Sequence, residues 1–475
     1  MHRMNRSGVT ALLVVTLLFN SGCTSLDSAA PWHRIQLTSE FTEKDLTDEY
    51  QWQDYLAQEE RVFKELSDKL AAEDTTHGYR YASASQFNPL LQTPNWNRTF
   101  ILVPKKMRAG ILMLHGLTDS PYSVRSLALA LQQQGFLVIA PRVPGHGTVP
   151  SALLDVDWED WAALTRLAAK EVKRQLGDNP NFYMLGYSNG GALTLNYSLD
   201  AIADASLPMP KKIVLLSPMI GVSKYASLTK PVDLLGQVPG LSSSRWLSKI
   251  PEYNPFKYNS FPVNAGWQSH RFSTHVQDKI AAAKKNQQLQ KLPPILTFQS
   301  LIDTTVNTDA IEKHLYRFLP ENNSELVLFD INRHENYVPI IKPAASRYMQ
   351  ETFGAGPHPY HLVKISNHTS STMAVSEWRQ KPGASTMTER PLDLAFPPGV
   401  FSLSHVAVPF SAKDPTYGLE PDMSEFYGIR LGNVQLRGES GTVIIKAAAG
   451  MRLYSNPFYP YMEERIFDWL EVPTP

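Results

Sequence analysis

Residues 182–192 read FYMLGYSNGGA, and this stretch predicts a strand, a sharp turn and a helix in succession. The apolar residues before Gly186 are typical of a buried strand, and those after Gly190 are suited to a helix. The two glycines flank Ser188 in the pattern G-x-S-x-G. A serine on a tight strand-to-helix turn needs such neighbours, because the chain packs against itself on both sides. The pattern favours Ser188 as a nucleophile, and an ordinary glycine-rich loop is the alternative.

Short apolar runs alternate with helical patterns on both sides of this turn. The runs typical of strands are GILMLHG (110–116), FLVIAP (136–141), KIVLLSP (212–218), PPILTFQS (293–300) and SELVLFDIN (324–332). The helical patterns are SPYSVRSLALALQQQG (120–135), DWEDWAALTRLAAKEVKRQL (157–176), the stretch after Ser188 and residues 308–319. Continuous apolar strands that alternate with helices predict an α/β fold, with a mostly parallel central sheet and helices on both faces.

Changes in composition predict further segments around this core. Residues 219–292 interrupt the alternation with PEYNPFKYNSFPVNAG, rich in aromatic residues and proline, and are interpreted as a cap or lid insertion. Residues 353–475 are β-like and turn-rich, with YHLVKISN, GVFSLSHVAVPF and GTVIIKAA, and are interpreted as a β-rich C-terminal extension packed on the core. The predicted segments are a signal (1–23), a tether and N-terminal helical segment (24–96), two core parts (97–218 and 293–352), the cap and the extension.

The overall composition narrows the classes of partner. The 475 residues include 45 basic and 45 acidic side chains, with no net charge and no basic run. Nothing in this balance attracts nucleic acid. Since there is one cysteine, and no His/Cys/Asp cluster has the spacing of metal ligands, we expect no metal and no organic cofactor.

The N-terminus has the pattern of an export signal. Basic residues precede the apolar stretch GVTALLVVTLLF (8–19), which is too short to span a bilayer comfortably, and NSGC (20–23) follows it. Cys23 is the one cysteine, so it cannot form an intrachain disulfide. An incidental or buried cysteine is the simpler interpretation, but its position directly after the apolar stretch favours a processing site.

Candidate catalytic groups follow predicted strands, at the edge where ligands bind in open parallel sheets. Ser188 is the first of them. The backbone N–H of Leu117, in the loop LHGLTDS, can pair with that of Asn189 to bind a tetrahedral oxyanion. Asp303, in SLIDTTV, can hold an imidazole in the required tautomer, although it could instead cap the helix that follows. His115 is interpreted as structural.

Several of these motifs resemble one known family. HGLTDSPYS, PGHGT with DWEDW, GYSNGG and QSLIDTTV together resemble the α/β-hydrolase family of monoglyceride lipases, small bacterial carboxylesterases and lysophospholipases, over about residues 98–335. The cap and the tail FSLSHVAVPFSAKDPTYG look like a larger bacterial branch of it. The resemblance implies the α/β-hydrolase fold, Ser188 as the nucleophile, Leu117 and Asn189 as the oxyanion hole, and Asp303 as the acid.

Two histidines compete for the role of the base. His334 follows the strand after Asp303, where the usual layout places it. His405 follows the apolar stretch FSLS, which predicts a strand, and a terminal helix follows later. The resemblance of the tail centres on this SLSH stretch. We therefore favour His405 and keep His334 as the alternative.

The N-terminal stretch resembles a bacterial lipoprotein signal, in which Cys23 becomes the lipidated first residue. Asn20 departs from the aliphatic residue that is usual at its position, and Thr24 favours the outer membrane. The resemblance implies a lipid-anchored protein of the cell envelope that faces the periplasm. The membrane is then one partner, and a small-molecule or lipid ester is the other.

The leading hypothesis is a carboxylic ester hydrolase that works through an acyl-enzyme. One alternative is a serine peptidase or amidase of the same fold, which would need an acidic cap residue such as Glu252 or Asp233 to bind a free amino terminus. The other is an envelope lipoprotein without catalysis. The aromatic residues of the cap suit an apolar acyl or alcohol group, and they suit a small core of the cap equally well. They are Tyr225, Trp246, Tyr253, Phe256, Tyr258, Phe261 and Trp267.

Overall fold

The computed structural model describes residues 30–75, 79–221, 242–354, 356–434, 442 and 450–472. Its helices are α1 (Trp52–Ala71), α2 (Arg125–Gln133), α3 (Trp158–Leu176), α4 (Asn189–Ala203), α5 (Val263–Lys285), α6 (Thr308–His314), α7 (Pro343–Phe353) and α8 (Tyr459–Trp469). The strands of the first half are β1 (Phe100–Leu102), β2 (Ala109–Leu114), β3 (Phe136–Ala140), β4 (Phe182–Tyr187) and β5 (Ile213–Leu216). Those of the second half are β6 (Trp246–Ser248), β7 (Phe261–Pro262), β8 (Ile295–Ser300), β9 (Glu325–Phe329), β10 (His361–Asn367), β11 (Ala374–Gln380) and β12 (Thr388–Ala395).

A ten-stranded sheet in the order β1-β3-β2-β4-β5-β8-β9-β10-β11-β12 forms the centre of the molecule. The seven strands from β3 to β10 in this order run parallel to one another. Strand β1 at one edge, and β11 and β12 at the other, pair antiparallel. The predicted fold class, an α/β fold with a mostly parallel sheet, is confirmed.

Successive residues of one strand supply the two cores, because side chains alternate across a sheet. Leu112 and Leu114 of β2 join the apolar cluster beneath α3, α4 and α5. Ile111 and Met113 join the cluster on the opposite face, with α2 and α8. Every residue of β2, β3, β4, β5, β8 and β9 is buried. These strands are rich in apolar residues because both faces of the sheet are covered.

The C-terminal extension lengthens the central sheet. Strand β10 pairs parallel with β9, so that Leu362 lies opposite Leu326. Helix α8 packs on the face that α2 covers, through buried side chains that include Met462 and Ile466. Of the predicted strand GTVIIKAA (441–448), all residues except 442 lie outside the described residues.

The stretch GVFSLSHVAVPF is not the strand that its apolar pattern predicted. It forms a bent loop with a single turn of 3-10 helix at His405–Ala407, in which the N–H of Ala407 bonds to the carbonyl of Ser404. Apolar residues are frequent here because Leu403, Ala407 and Val408 are buried in the core beside β8 and β9. The burial arises from packing of a loop, which sequence periodicity does not distinguish from a strand.

The described part of the N-terminal segment, from residue 30 onward, is packed on the core. Trp32 and Ile35 are buried, and the Trp32 ring stacks on Tyr81 at a centroid distance of 5.3 Å. Helix α1 buries one face, including Tyr55, whose hydroxyl donates to the carbonyl of Arg142 at 2.6 Å. A few widely spaced aromatic residues thus hold this otherwise polar segment against the core.

Of the region predicted as a cap (219–292), the structure describes residues 219–221 and 242–292. Strands β6 and β7 form a small antiparallel pair. Helix α5 begins there, and further along it packs against α4 with Phe272, Val276 and Ile280 buried in the core.

Among the described residues, no helix has the length and apolar character needed to cross a bilayer.

Candidate active site

Ser188 occupies a strained turn between β4 and α4. Its backbone has φ +53° and ψ −112°, which is unusual for a residue with a side chain. A Cβ atom on Gly186 would lie 2.2 Å from the carbonyl oxygen of Gly190, and one on Gly190 would lie 2.1 Å from that of Leu114. These distances are far below van der Waals contact. The turn therefore requires both glycines of the G-x-S-x-G pattern, and it projects Ser188 at the carboxyl edge of the sheet.

The imidazole of His405 lies between Ser188 and Asp303. Its Nε2 is 3.1 Å from Ser188 Oγ, and its Nδ1 is 2.8 Å from Asp303 Oδ2. In the neutral tautomer that suits both contacts, Nδ1–H donates to the carboxylate and Nε2 accepts from the hydroxyl. All three side chains are buried or nearly so. The structure thus brings together one nucleophile, one base and one acid from the predicted set.

The loop after β8 holds Asp303 as a carboxylate. Its Oδ1 accepts the N–H groups of Thr305 and Val306 at 2.7 and 3.0 Å, and its Oδ2 also accepts from Gln299 Nε2 at 3.0 Å. Burial disfavours the charge, but attraction to His405 and these hydrogen bonds outweigh it, so the pKa of the carboxyl is lowered. Asp303 does not cap α6, as the alternative interpretation suggested. Asn307 does so, through its side-chain bond to the N–H of Asp309.

Contacts on either side position the His405 loop. Ser300 Oγ, at the end of β8, donates to the carbonyl of Leu403 at 2.6 Å. The Tyr187 ring lies beside the imidazole, with a centroid distance of 5.5 Å. These contacts join the C-terminal extension to the ends of β4 and β8. The loop after β9 also holds the segment before His405, since the backbone N–H of Asn332 donates to the carbonyl of Phe401 at 2.8 Å.

His334, the alternative base, takes part in a different structure. It lies half-buried in the loop after β9. Its backbone N–H donates to Asn332 Oδ1, and its ring Nδ1 accepts the backbone N–H of Asn336. Within the described residues it has no hydrogen bond to Ser188 or Asp303. The position after the strand, where the usual layout has the base, is occupied here by a residue that braces its own loop.

His115 has the structural role that was expected. It is completely buried, its Nδ1–H donates to the carbonyl of Gly116, and its Nε2 accepts the N–H of Val143. Burial lowers the pKa of His115 well below its usual value, so the ring is neutral. It joins the loop after β2 to the loop after β3.

Leu117 and Asn189 lie on the two loops expected for an oxyanion hole. Asn189 is the first residue of α4, and Leu117 lines the cavity beside Ser188. Because the added Cβ on Gly190 would meet Leu114, the start of α4 packs directly against the end of β2. Neither backbone N–H, of Leu117 or of Asn189, donates a hydrogen bond within the part of the chain that the structure describes.

A cavity of about 470 Å³ opens at Ser188 and His405. Its lining is mostly apolar, with Leu117, Met219, Leu247, Tyr258, Phe261, Val306 and Val406 among the described residues. Two of the aromatic residues suggested for substrate contact, Tyr258 and Phe261, therefore line it. Phe256 belongs instead to a small core, since its ring stacks on Tyr122 at 3.6 Å.

Charged residues that the sequence analysis did not single out also line this cavity. They are Asp119, Lys257 and Arg452. Lys257 Nζ is 3.1 Å from Asp119 Oδ2. Burial raises the pKa of Asp119, against the attraction of Lys257. Asp119 could have been noticed, because it lies in the loop LHGLTDS, and Lys257 belongs to the quoted cap stretch, whereas Arg452 lies in a segment without a recognisable pattern.

Glu252, the acid considered for binding an amino terminus, lies elsewhere. It is completely buried, and its carboxylate oxygens accept the N–H groups of Asn259 and Ser260, both at 2.8 Å. It does not line the cavity. The other acid, Asp233, and the aromatic Tyr225 lie outside the described residues, as does Cys23. In the described ranges no cluster of His, Cys, Asp and Glu has the arrangement to hold a metal ion.

Residues 105–338 match the model of a family described as serine aminopeptidase, S33. A thermostable monoacylglycerol lipase of Bacillus sp. (strain H-257) is 35% identical over 173 residues, which are 36% of this chain and 64% of that lipase. A carboxylesterase of Bacillus subtilis (strain 168) is 22% identical over 47% of this chain and 83% of its own length. A solved structure reported for metagenome-derived lipolytic enzymes gives a TM-score of 0.39 at 22% identity, over 50% of this chain and 88% of that chain.

The chain has the α/β-hydrolase fold, with a serine, a histidine and an aspartate side by side at the carboxyl edge of its sheet. Over residues 105–338 its sequence is similar to serine hydrolases of this fold. The matched stretch ends before β10, so the C-terminal extension, with His405, lies beyond the part that the family model covers.

Proposed function

We propose that the protein hydrolyses carboxylic esters through an acyl-enzyme formed on Ser188. One observation carries the proposal: the His405 imidazole is within hydrogen-bond reach of both Ser188 Oγ and Asp303 Oδ2, at 3.1 and 2.8 Å. This is the relation that converts a weakly nucleophilic hydroxyl into an effective nucleophile at neutral pH.

Each residue has one task in the proposed reaction. Ser188 Oγ attacks the carbonyl carbon of the ester while His405 Nε2 takes its proton. Asp303 stabilises the imidazolium, and the backbone N–H groups of Leu117 and Asn189 bind the oxyanion. The imidazolium then gives the proton to the departing alcohol. Water, activated by the same imidazole, releases the acid from Ser188.

The shape and polarity of the cavity support an ester with an apolar acyl group. Met219, Phe261 and Val306 line it beside Ser188, and its volume of about 470 Å³ is in the range of small-molecule sites. The names of the two relatives, a monoacylglycerol lipase and a carboxylesterase, support the same substrate class. We propose that lipid-type esters are among the substrates.

Peptide hydrolysis is the second candidate, because the matching family model is described as a serine aminopeptidase. An aminopeptidase needs an unpaired acid near the scissile bond to bind the free amino group. Asp119 is the one acid among the described residues of the cavity wall, and Lys257 already pairs with it. Glu252 is occupied by backbone N–H groups. Because both acids already have partners, neither is free to bind an amino terminus, and we favour ester substrates over peptides.

Labelling with a fluorophosphonate probe tests the nucleophile and separates a hydrolase from a non-catalytic binding protein. We expect a covalent adduct on Ser188 of the wild type and none in Ser188→Ala. Absence of an adduct in the folded wild type would contradict the proposal. A panel of p-nitrophenyl esters of increasing chain length, run beside aminoacyl p-nitroanilides, separates ester from peptide hydrolysis. We expect turnover of the esters, and turnover of the anilides alone would overturn the substrate class.

We also propose that Cys23 carries a lipid that anchors the protein in the bacterial outer membrane, facing the periplasm. The support is the sequence itself: an apolar stretch at 8–19, small residues before Cys23, and Thr24 after it. An anchored enzyme would work close to lipid substrates. Membrane fractionation of Cys23→Ser, described below, tests this proposal.

A further inference from the structure

A smaller cavity of about 190 Å³, here called the side cavity, adjoins the cavity of Ser188. Some residues line both cavities, and Asp119, Tyr187, Lys257 and Arg452 are among them. Since these residues line both spaces, one molecule whose carbonyl group lies at Ser188 can extend into the side cavity. The site thus has room for two parts of a substrate.

The side cavity lies toward the base. Val406, which directly follows His405, lines both cavities, whereas His405 itself and the residues Leu117 and Met219 line the Ser188 cavity alone. In acyl transfer the departing alcohol receives its proton from the imidazole, so it leaves on the imidazole side. The position of the side cavity therefore suits the alcohol part of an ester.

The walls of the side cavity suit a flat ring. The C-terminal extension contributes Phe410, Tyr417 and Tyr454, and residues 250–259 contribute Tyr253. The centroids of the Phe410 and Tyr417 rings are 4.2 Å apart. The rings of Tyr417 and Tyr454 are nearly parallel, with an interplanar angle of 19°. Aromatic walls bind planar groups through stacking and edge contacts. The hydroxyls of Tyr253 and Tyr454 make no hydrogen bond within the described residues, so they are available to a ligand.

One positively charged side chain at the junction of the two cavities, that of Arg452, has no carboxylate partner among the described residues. Lys257 is neutralised by Asp119 at 3.1 Å. Arg452 is exposed, and its Nη2 donates to Thr305 Oγ1 at 3.3 Å. Within the described part of the chain, no carboxylate lies within 4.0 Å of this guanidinium. Arginine binds carboxylates with paired, charge-assisted hydrogen bonds.

We propose that the side cavity binds the alcohol part of the ester and selects an aromatic alcohol that carries a carboxylate, through contact with the rings of Tyr253 and Tyr454 and an ion pair with Arg452. This inference rests on the proposed ester hydrolysis at Ser188. Phe410, Tyr417, Arg452 and Tyr454 lie beyond the stretch 105–338 that matches the family model. The selectivity is therefore a property of the C-terminal extension.

Two butyrate esters test the proposal: 4-butyryloxybenzoate and its neutral amide, 4-butyryloxybenzamide. They share the acyl group and the ring, and differ in the carboxylate. We expect the ratio of their kcat/KM values, benzoate over benzamide, to fall about tenfold from wild type to Arg452→Met. Arg452→Glu, which reverses the charge, is expected to lower the ratio further. Comparing ratios between variants cancels the intrinsic difference between the two leaving groups.

Arg347→Met is the matched control, because Arg347 is an exposed arginine of α7 paired with Glu351. We expect its ratio to equal that of the wild type. A ratio that is the same in wild type and both Arg452 variants would overturn the side-cavity proposal and leave ester hydrolysis standing. If the wild type hydrolysed neither of these two esters nor any p-nitrophenyl ester of the panel, the result would contradict the proposed ester hydrolysis itself.

Discussion

His405 Nε2 lies 3.1 Å from Ser188 Oγ although 217 positions of sequence separate the two residues. Asp303, the partner of the other ring nitrogen, is 102 positions from His405. Three strands of the C-terminal extension, β10 to β12, are inserted between the acid and the base, and the chain then returns to the carboxyl edge of the sheet. The histidine of this site therefore depends on tertiary packing of the extension.

Replacing each of the two competing histidines should give very different enzymes. His405→Ala removes the group that accepts the Ser188 proton, and we expect kcat to fall by about 3 powers of ten or more. His334→Ala, the matched control, removes contacts within one loop and should cost under about 1 kcal/mol of folding stability. Ester hydrolysis and circular dichroism of both purified variants provide the measurement. Loss of activity in His334→Ala with retention in His405→Ala would contradict the assignment.

Asp303→Asn tests whether the acid fixes the tautomer of His405. An amide in place of the carboxylate can donate to Nδ1, which favours the tautomer with the proton on Nε2, and that nitrogen can no longer accept from Ser188. We expect kcat to fall by about 10³–10⁴ with little change in fold. Asp468→Asn, which alters an exposed carboxylate of α8, is the control and should retain activity. Equal activity of the two variants would rule out this role for Asp303.

Much of the architecture could be predicted from the sequence because each buried strand is short, apolar and bounded by turns. The serine turn was recognisable since its close backbone contacts permit only glycine at positions 186 and 190. The choice between His405 and His334 could not be made from the residues, because both follow apolar stretches and the sheet hydrogen bonds that fold the extension back are not local. The FSLS stretch before His405 was assigned to a strand, although it is a buried loop.

The polar wall of the cavity was beyond prediction for a similar reason. Lys257 and Arg452 come from segments far apart in the chain, and only the packing of the extension on residues 250–259 brings them to one cavity. Their positions follow from several buried contacts, such as the hydrogen bond from Tyr417 to Asn254 at 2.7 Å. No periodic pattern records such contacts.

Cys23→Ser should move the protein from the membrane pellet to the soluble periplasmic fraction. A serine cannot receive the thioether-linked lipid, so the anchor is lost. We expect kcat of the released protein on a soluble ester to be unchanged, and Ser25→Ala, as a control, to stay in the pellet. Fractionation followed by immunoblotting gives the distribution. If Cys23→Ser remained with the membrane to the same extent as the wild type, lipidation at this residue would be excluded.

Acidification should destabilise the fold in part through His146. Burial lowers the pKa of His146 to about 4, whereas a histidine of the unfolded chain titrates near 6.5. Between these two values the unfolded state binds more protons, so the free energy of unfolding decreases as the pH falls. From pH 7 to pH 5 this one group is expected to remove about 2 kcal/mol.

The pH dependence of His146→Gln provides the check. Its absolute stability is expected to differ from that of the wild type, because the ring is buried, but its loss of stability between pH 7 and pH 5 should be smaller. Urea unfolding at the two pH values measures both slopes. Identical slopes for the two proteins would show that His146 does not contribute to acid sensitivity.

The parallel pairing of β10 with β9 makes one segment of the chain serve both the site and the edge of the sheet. A chain released after about residue 353 would contain Ser188 and Asp303 but neither His405 nor the strand that covers β9. Such a fragment would be inert toward esters, and its bare apolar strand edge would invite association with other chains. Residues 354–475 therefore supply the base and cover the sheet edge together, so a chain that lacks them is both inactive and prone to associate.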